Sequence, residues 1–187
     1  MAEQPSVPAA DGSAAPRSVF LIGPMGSGKS AVGRALARLC GRRFIDSDAE
    51  IERRTGVDIP LIFEKEGEQG FRIREQEVID DLTQRAGIVL ATGGGTVLLP
   101  ENRRCLASRG IVVYLAASVD QQLERTRRGR KRPLLQATDP RTRLGDLMRV
   151  REPLYAALAQ ITVPTDHRKV QAVAEHIAAE LRHRGLG

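Results

Sequence analysis

A chain of 187 residues suffices for one ordinary α/β domain and is too short for two full ones. With 41% hydrophobic residues, 3% aromatics and no Trp, its core has to be built from Leu, Ile, Val and Ala, and no apolar run approaches the roughly 20 residues that cross a bilayer. The formal charge is +6, and only four of the 29 basic residues are lysines (Lys29, Lys65, Lys131, Lys169), so the excess is guanidinium, suited to phosphate and carboxylate as well as to solvent or nucleic acid.

Residues 1–17 are rich in Ala, Pro, Ser and Gly and lack both periodicity and the basic and apolar stretches of a secretory leader. They are predicted to be a disordered tail on a cytosolic chain, with a single domain over 18–187. Short β-branched runs then alternate with helical patterns. The runs are SVFLIG (18–23), RFID (43–46), GIVLATG (87–93), GIVVYLA (110–116) and QITVPT (160–165). The helical stretches are 29–40, a region from 48 to 86, 101–109, 118–127, 140–159 and 168–184. Runs that are mostly continuous read as strands buried on both faces, and the alternation predicts a doubly wound parallel α/β fold with ligands beyond the strands' carboxyl ends.

The first run leads into GPMGSGKS, Gly23 to Ser30, a complete G-x-x-x-x-G-K-[ST] motif with a strand before it and an amphipathic stretch after it. Its glycines let backbone N–H groups wrap phosphate oxygens, and the helix that follows turns its positive end toward them. Gly26, Ser27, Gly28, Lys29, Ser30 and Ala31 are the predicted nucleotide contacts, with Lys29 reaching the β- and γ-phosphates and Ser30 ligating Mg²⁺. Asp46 closes the second run; if that strand neighbours the first, its carboxylate holds a magnesium-bound water. Asp48 projects past the γ-phosphate, where a carboxylate can orient a hydroxyl and take its proton. Ser47 and Asp48 also read simply as caps of the next helix.

Farther on, Glu75 lies three residues after Arg72, on the same helical face, and is predicted to hold its fork. Gly93, Gly94 and Gly95 end the third run, either as close backbone approach to a ligand or as a tight turn with positive φ. RTRRGRKRP (125–133) is the strongest basic cluster; it has no interleaved aromatics for base stacking, and it falls between two helices, at a lid's position over about 127–138. Cys40 and Cys105 fit no metal spacing, and His167, His176 and His183 have no metal-ligand partners.

The order GPMGSGKS, FIDSDAEIERRTG, EGEQGFRIREQEVI, ATGGGTV and the pair RKRPLL with REPLY resembles the shikimate kinase family over nearly all of 18–184. The resemblance implies a three-layer P-loop fold, with a five-stranded parallel sheet flanked by helices, a substrate-binding insertion (about 47–80) and a mobile lid. It implies transfer from ATP, with Mg²⁺, to the 3-hydroxyl of shikimate on the route to chorismate. It assigns the reacting hydroxyl to Asp48, the substrate carboxylate to Arg72 and Arg151, the pocket wall to Gly94 and Gly95, the phosphates to Arg132 of the lid, and the adenine to Arg125 and Arg168. Lys29, Asp48 and Arg132 are then the catalytic set. The expected partners are ATP and shikimate, not nucleic acid or membrane, and the chain is expected to act as a monomer. Two alternatives remain: the same chemistry on gluconate or a nucleoside monophosphate, or a nucleotide- or nucleic-acid-binding module without catalysis.

Overall fold

Four-residue runs such as VFLI and IVLA cannot satisfy their backbone alone, and their side chains are apolar on both faces, so they pair side by side under helices. The computed structural model describes residues 17–126 and 139–186; the predicted tail to residue 16 and the predicted lid with Arg132 lie outside the described residues. The elements in chain order are β1 (Val19–Ile22), α1 (Lys29–Leu39), β2 (Arg43–Asp46), α2 (Ser47–Thr55), α3 (Ile59–Thr83), β3 (Ile88–Ala91), a 3-10 turn (Thr96–Leu98), α4 (Pro100–Arg109), β4 (Ile111–Ala116), α5 (Val119–Thr126), α6 (Pro140–Leu158), β5 (Ile161–Pro164) and α7 (Val170–His183). The five strands are parallel and ordered β2-β3-β1-β4-β5.

The sheet divides the core in two. Val19, Leu21, Val113 and Leu115 face one side with Val32 and Leu36 of α1 and Ile177 of α7. Phe20, Ile22, Val112 and Tyr114 face the other with Ile79 of α3, Leu106 of α4 and Tyr155 of α6. Central strands β1 and β3 are buried throughout, as continuous apolar runs require. The edge strands depart from that reading: Arg43 of β2 is exposed, and β5 alternates, exposing Thr162 and Pro164. A proline without an N–H fits only where one side of the ladder is open.

The single helical region expected over 48–86 is two helices. Gly56, at φ 72, terminates α2, and Asp58 caps α3 by accepting from the amide of Leu61 at 3.1 Å. Within α3, Gly67 is non-helical (φ 70, ψ −175). The break is bridged by Arg74, which donates to both oxygens of Glu66 at 2.8 and 2.6 Å. Among the described residues, no helix is long and apolar enough to cross a membrane.

Candidate active site

The strand order sets what the carboxyl edge of the sheet carries. The loop after β1 turns back through Gly28, whose φ of 91 an L side chain would resist, into the first turn of α1. Lys29 Nζ donates to the carbonyls of Gly23 and Pro24, both at 2.8 Å, which folds the ammonium over the mouth of the loop. Ser30 Oγ donates to Asp46 Oδ2 at 2.5 Å. The expected adjacency of β2 to β1 is not what brings Asp46 here, because β3 lies between them; Asp46 reaches the loop through α1, whose second residue is Ser30. The cap of α2 also falls one residue earlier than expected: Asp46, not Ser47 or Asp48, accepts from the amides of Asp48 and Ala49, at 3.1 and 3.4 Å. One carboxylate thus caps a helix with Oδ1 and meets the phosphate loop with Oδ2. Ser47 is fully buried, and its hydroxyl accepts the Gly93 amide at 3.1 Å.

Asp48 lies in the first turn of α2 and faces the cleft. Its Oδ1 is buried and has no hydrogen-bond partner among the described residues. Burial pushes its carboxyl up to about 6, the neighbouring charges of Asp46, Glu75 and Glu52 push the same way, and Lys29 opposes them. Glu75 is fully buried; its carboxylate accepts from Arg72 Nη1 at 2.6 Å and from Thr96 Oγ1 at 2.6 Å. The expected Glu75–Arg72 pairing is therefore present, joined by a second acceptor, Glu68, at 3.0 Å from Nη2.

The glycine triplet owes nothing to positive φ, which none of the three adopts. Space explains Gly93 and Gly95. A Cβ on Gly95 would sit 2.5 Å from Arg72 Nη2, and one on Gly93 would sit 2.8 Å from Asp48 Oδ1. Gly93 and Gly95 are glycine because two carboxylates and an arginine lie against their backbone; a Cβ on Gly94 would find its nearest atom, the Met25 nitrogen, at 3.4 Å.

Arg151 of α6 enters the same cleft, is only 9% exposed, and forms no ion pair among the described residues. Arg125 also lines it, holding the back of the phosphate loop through the Gly26 carbonyl at 3.1 Å and Thr165 at 2.7 Å. Arg168 is not brought into that lining; its Nη1 donates to the Pro164 carbonyl at 3.3 Å. Gly26, Gly28, Lys29, Ser30 and Ala31 line the cleft, whereas Ser27 is fully buried behind it. The cleft holds about 630 Å³. Sequence reasoning missed its apolar wall, in which Phe63 and Phe71 pack with ring centroids 4.7 Å apart. The available signal was that two of only four phenylalanines flank one break in one helix.

A phosphate loop and a buried acid sharing one cleft on a β2-β3-β1-β4-β5 sheet define the class, a P-loop kinase of small molecules. The shikimate kinase family profile matches residues 25–182, and the chain belongs to that family. It is 57% identical to the shikimate kinase of Actinobacillus pleuropneumoniae serotype 5b over 161 residues, covering 86% of this chain and 93% of the relative. It is 58% identical to that of Methylococcus capsulatus over 86% of this chain and 90% of the relative. A solved Acinetobacter baumannii shikimate kinase in complex with shikimate superposes with a TM-score of 0.89 at 50% identity, covering 91% of this chain and 96% of that one.

Proposed function

We propose that the chain transfers the γ-phosphoryl group of ATP to the 3-hydroxyl of shikimate. The observation that carries this reading is the buried, unpartnered Oδ1 of Asp48, in one cleft with Lys29 and with Arg72 and Arg151. The Acinetobacter baumannii relative, solved with shikimate, supports the acceptor. The Arg72 and Arg151 forks orient the substrate carboxylate, and the amides of Gly94 and Gly95 take its polar edge. Asp48 then accepts the proton of the 3-hydroxyl as that oxygen bonds to the γ-phosphorus and the bond to the β-phosphate oxygen breaks, releasing ADP. Lys29 neutralises charge on the phosphoryl oxygens, and Arg132 adds to it from the lid. Magnesium fits the donor set, since the Ser30 hydroxyl and the Asp46 carboxylate are hard oxygens already side by side. Ser30 would hold it directly and Asp46 through water, and its role would be to offset phosphate charge.

ADP release from Mg-ATP against shikimate, quinate, gluconate and nucleoside monophosphates tests the acceptor. Shikimate is expected to give a kcat/KM at least about 100-fold above any other; an equal or better rate with gluconate would overturn the reading.

Two finer predictions arise from the geometry. Because the proton acceptor has to be anionic and its carboxyl sits near 6, kcat/KM for shikimate should rise with unit slope below about pH 6 and level off above it. Rates followed from about pH 4.5 to 8 check this, and a flat profile through the acid limb would remove Asp48 as proton acceptor. Gly95→Ala places a methyl against the Arg72 guanidinium, whose nearest atoms lie at 2.5 and 2.7 Å. The flexible fork shifts off Glu75, so KM for shikimate should rise about tenfold while KM for ATP stays within about twofold. Initial-rate kinetics with each substrate varied would decide it.

A further inference from the structure

We infer that Tyr155 is a positioning residue: its hydroxyl ties the glycine loop after β3 to α6, fixing the loop's amides relative to the Arg151 guanidinium. This rests on the proposed acceptor for its kinetic consequence only. Tyr155 lies one turn after Arg151 on α6, so both side chains leave the same face. It is fully buried, and its ring stacks on Tyr114 of β4 at 5.1 Å and 25°. Phenylalanine would fill that space equally well, so packing does not account for the hydroxyl. The hydroxyl donates to the Gly94 carbonyl, in a loop and not in a helix or strand ladder. Burial holds its pKa well above the ordinary range, more than offsetting the downward pull of Arg151 beside it, so it remains a donor throughout the working pH.

The consequence follows from peptide geometry. No described peptide is cis, so turning the Gly94 carbonyl toward Tyr155 turns the Gly95 N–H the opposite way. That N–H has no protein acceptor among the described residues, and Gly94 and Gly95 both line the cleft. At its other end the loop is held by Ser47 Oγ on the Gly93 amide. The loop is therefore clamped from α2 and α6, and Tyr155 is the α6 half of the clamp.

Tyr155→Phe keeps the ring and its stacking and removes the hydroxyl, with its tie to the Gly94 carbonyl and its hydrogen bond to the Arg151 guanidinium. In the ligand-free chain, amide hydrogen exchange over residues 93–98 should speed up about tenfold, with β1 and β4 unchanged, as expected for one neutral hydrogen bond. In turnover, KM for shikimate should rise about fivefold to tenfold while KM for ATP and kcat stay within about twofold. In an Arg151→Ala background the same change should add less than its single effect. Unchanged loop exchange overturns the inference whatever the substrate proves to be. So does an equal rise in both KM values, which would mark general loosening, or full multiplication of the Tyr155 and Arg151 effects. If the wild type fails to phosphorylate shikimate, the acceptor assignment falls and the exchange experiment still decides the clamp.

Discussion

Asp48→Asn is expected to bind ATP with wild-type affinity, to lose about three orders of magnitude in kcat, and to be more stable than the wild type at neutral pH. Asparagine keeps the shape and can still touch a hydroxyl, but it cannot accept its proton. The loss therefore falls on the chemical step and not on the phosphate loop, which Lys29 and Ser30 build without Asp48. The stability gain comes from the same environment that prepares the acid. Its carboxyl is raised from 3.8 to about 6, so the native state holds the proton where the unfolded chain has released it, and ionisation works against the fold. That penalty is absent below the ordinary value of 3.8 and complete above about 6. At about 1.4 kcal/mol per pKa unit it amounts to roughly 3 kcal/mol, reduced by whatever the new amide leaves unsatisfied. A rise in Tm of about 5 °C at neutral pH, shrinking as the pH is lowered toward 4, is the expected signature in thermal melts. A variant that turns over at the wild-type rate would remove Asp48 from the reaction. One that is inactive but less stable at neutral pH would show that its burial is not the strain argued above.

Why the strands and the phosphate loop were legible is a matter of range. VFLI, IVLA and the G-x-x-x-x-G-K-S spacing encode their outcome within a few residues, so pattern alone places β1, β3 and the start of α1. Asp46 was legible as a site residue but not in its route. Strand order is a global property, and β3 inserts between β2 and β1 without any local mark on either sequence. The glycine triplet was legible as unusual, and local reasoning offered close approach to a ligand or a positive-φ turn; at Gly93 and Gly95 the crowding comes instead from the Arg72 fork and two carboxylates arriving from α2 and α3. Gly67 was illegible for the opposite reason: a glycine amid strong helix formers reads as a tolerated interruption, and only its backbone angles make it a break. Tyr155 could be read as core from its place in an apolar helix face, whereas its hydroxyl's partner lies 61 residues away in the chain.

Arg151→Ala is expected to raise KM for shikimate about 100-fold, leaving KM for ATP unchanged and kcat within about fivefold. Arg72 and Arg151 are not equivalent. Arg72 is already paired with Glu75 and Glu68, so truncating it would leave Glu75 buried without its cation and would cost stability as well as binding. Arg151 is just as enclosed but has no carboxylate partner among the described residues. An enclosed guanidinium without a counter-ion is held at a free-energy cost that an incoming carboxylate relieves, so on the proposed binding mode Arg151 is expected to be the stronger anchor of the two. Its removal therefore costs the full charge-assisted pair, about 2.7 kcal/mol, without leaving an orphaned acid behind. The carboxylate lies away from the reacting hydroxyl and is bound alike in ground and transition states, so the loss appears in KM. Arg151→Lys retains the charge but not the fork and should fall between, at about tenfold. If Arg151→Ala instead raised KM for ATP and left that for shikimate unchanged, the buried cation would belong to the nucleotide, and the orientation of the acceptor in the cleft would have to be reversed.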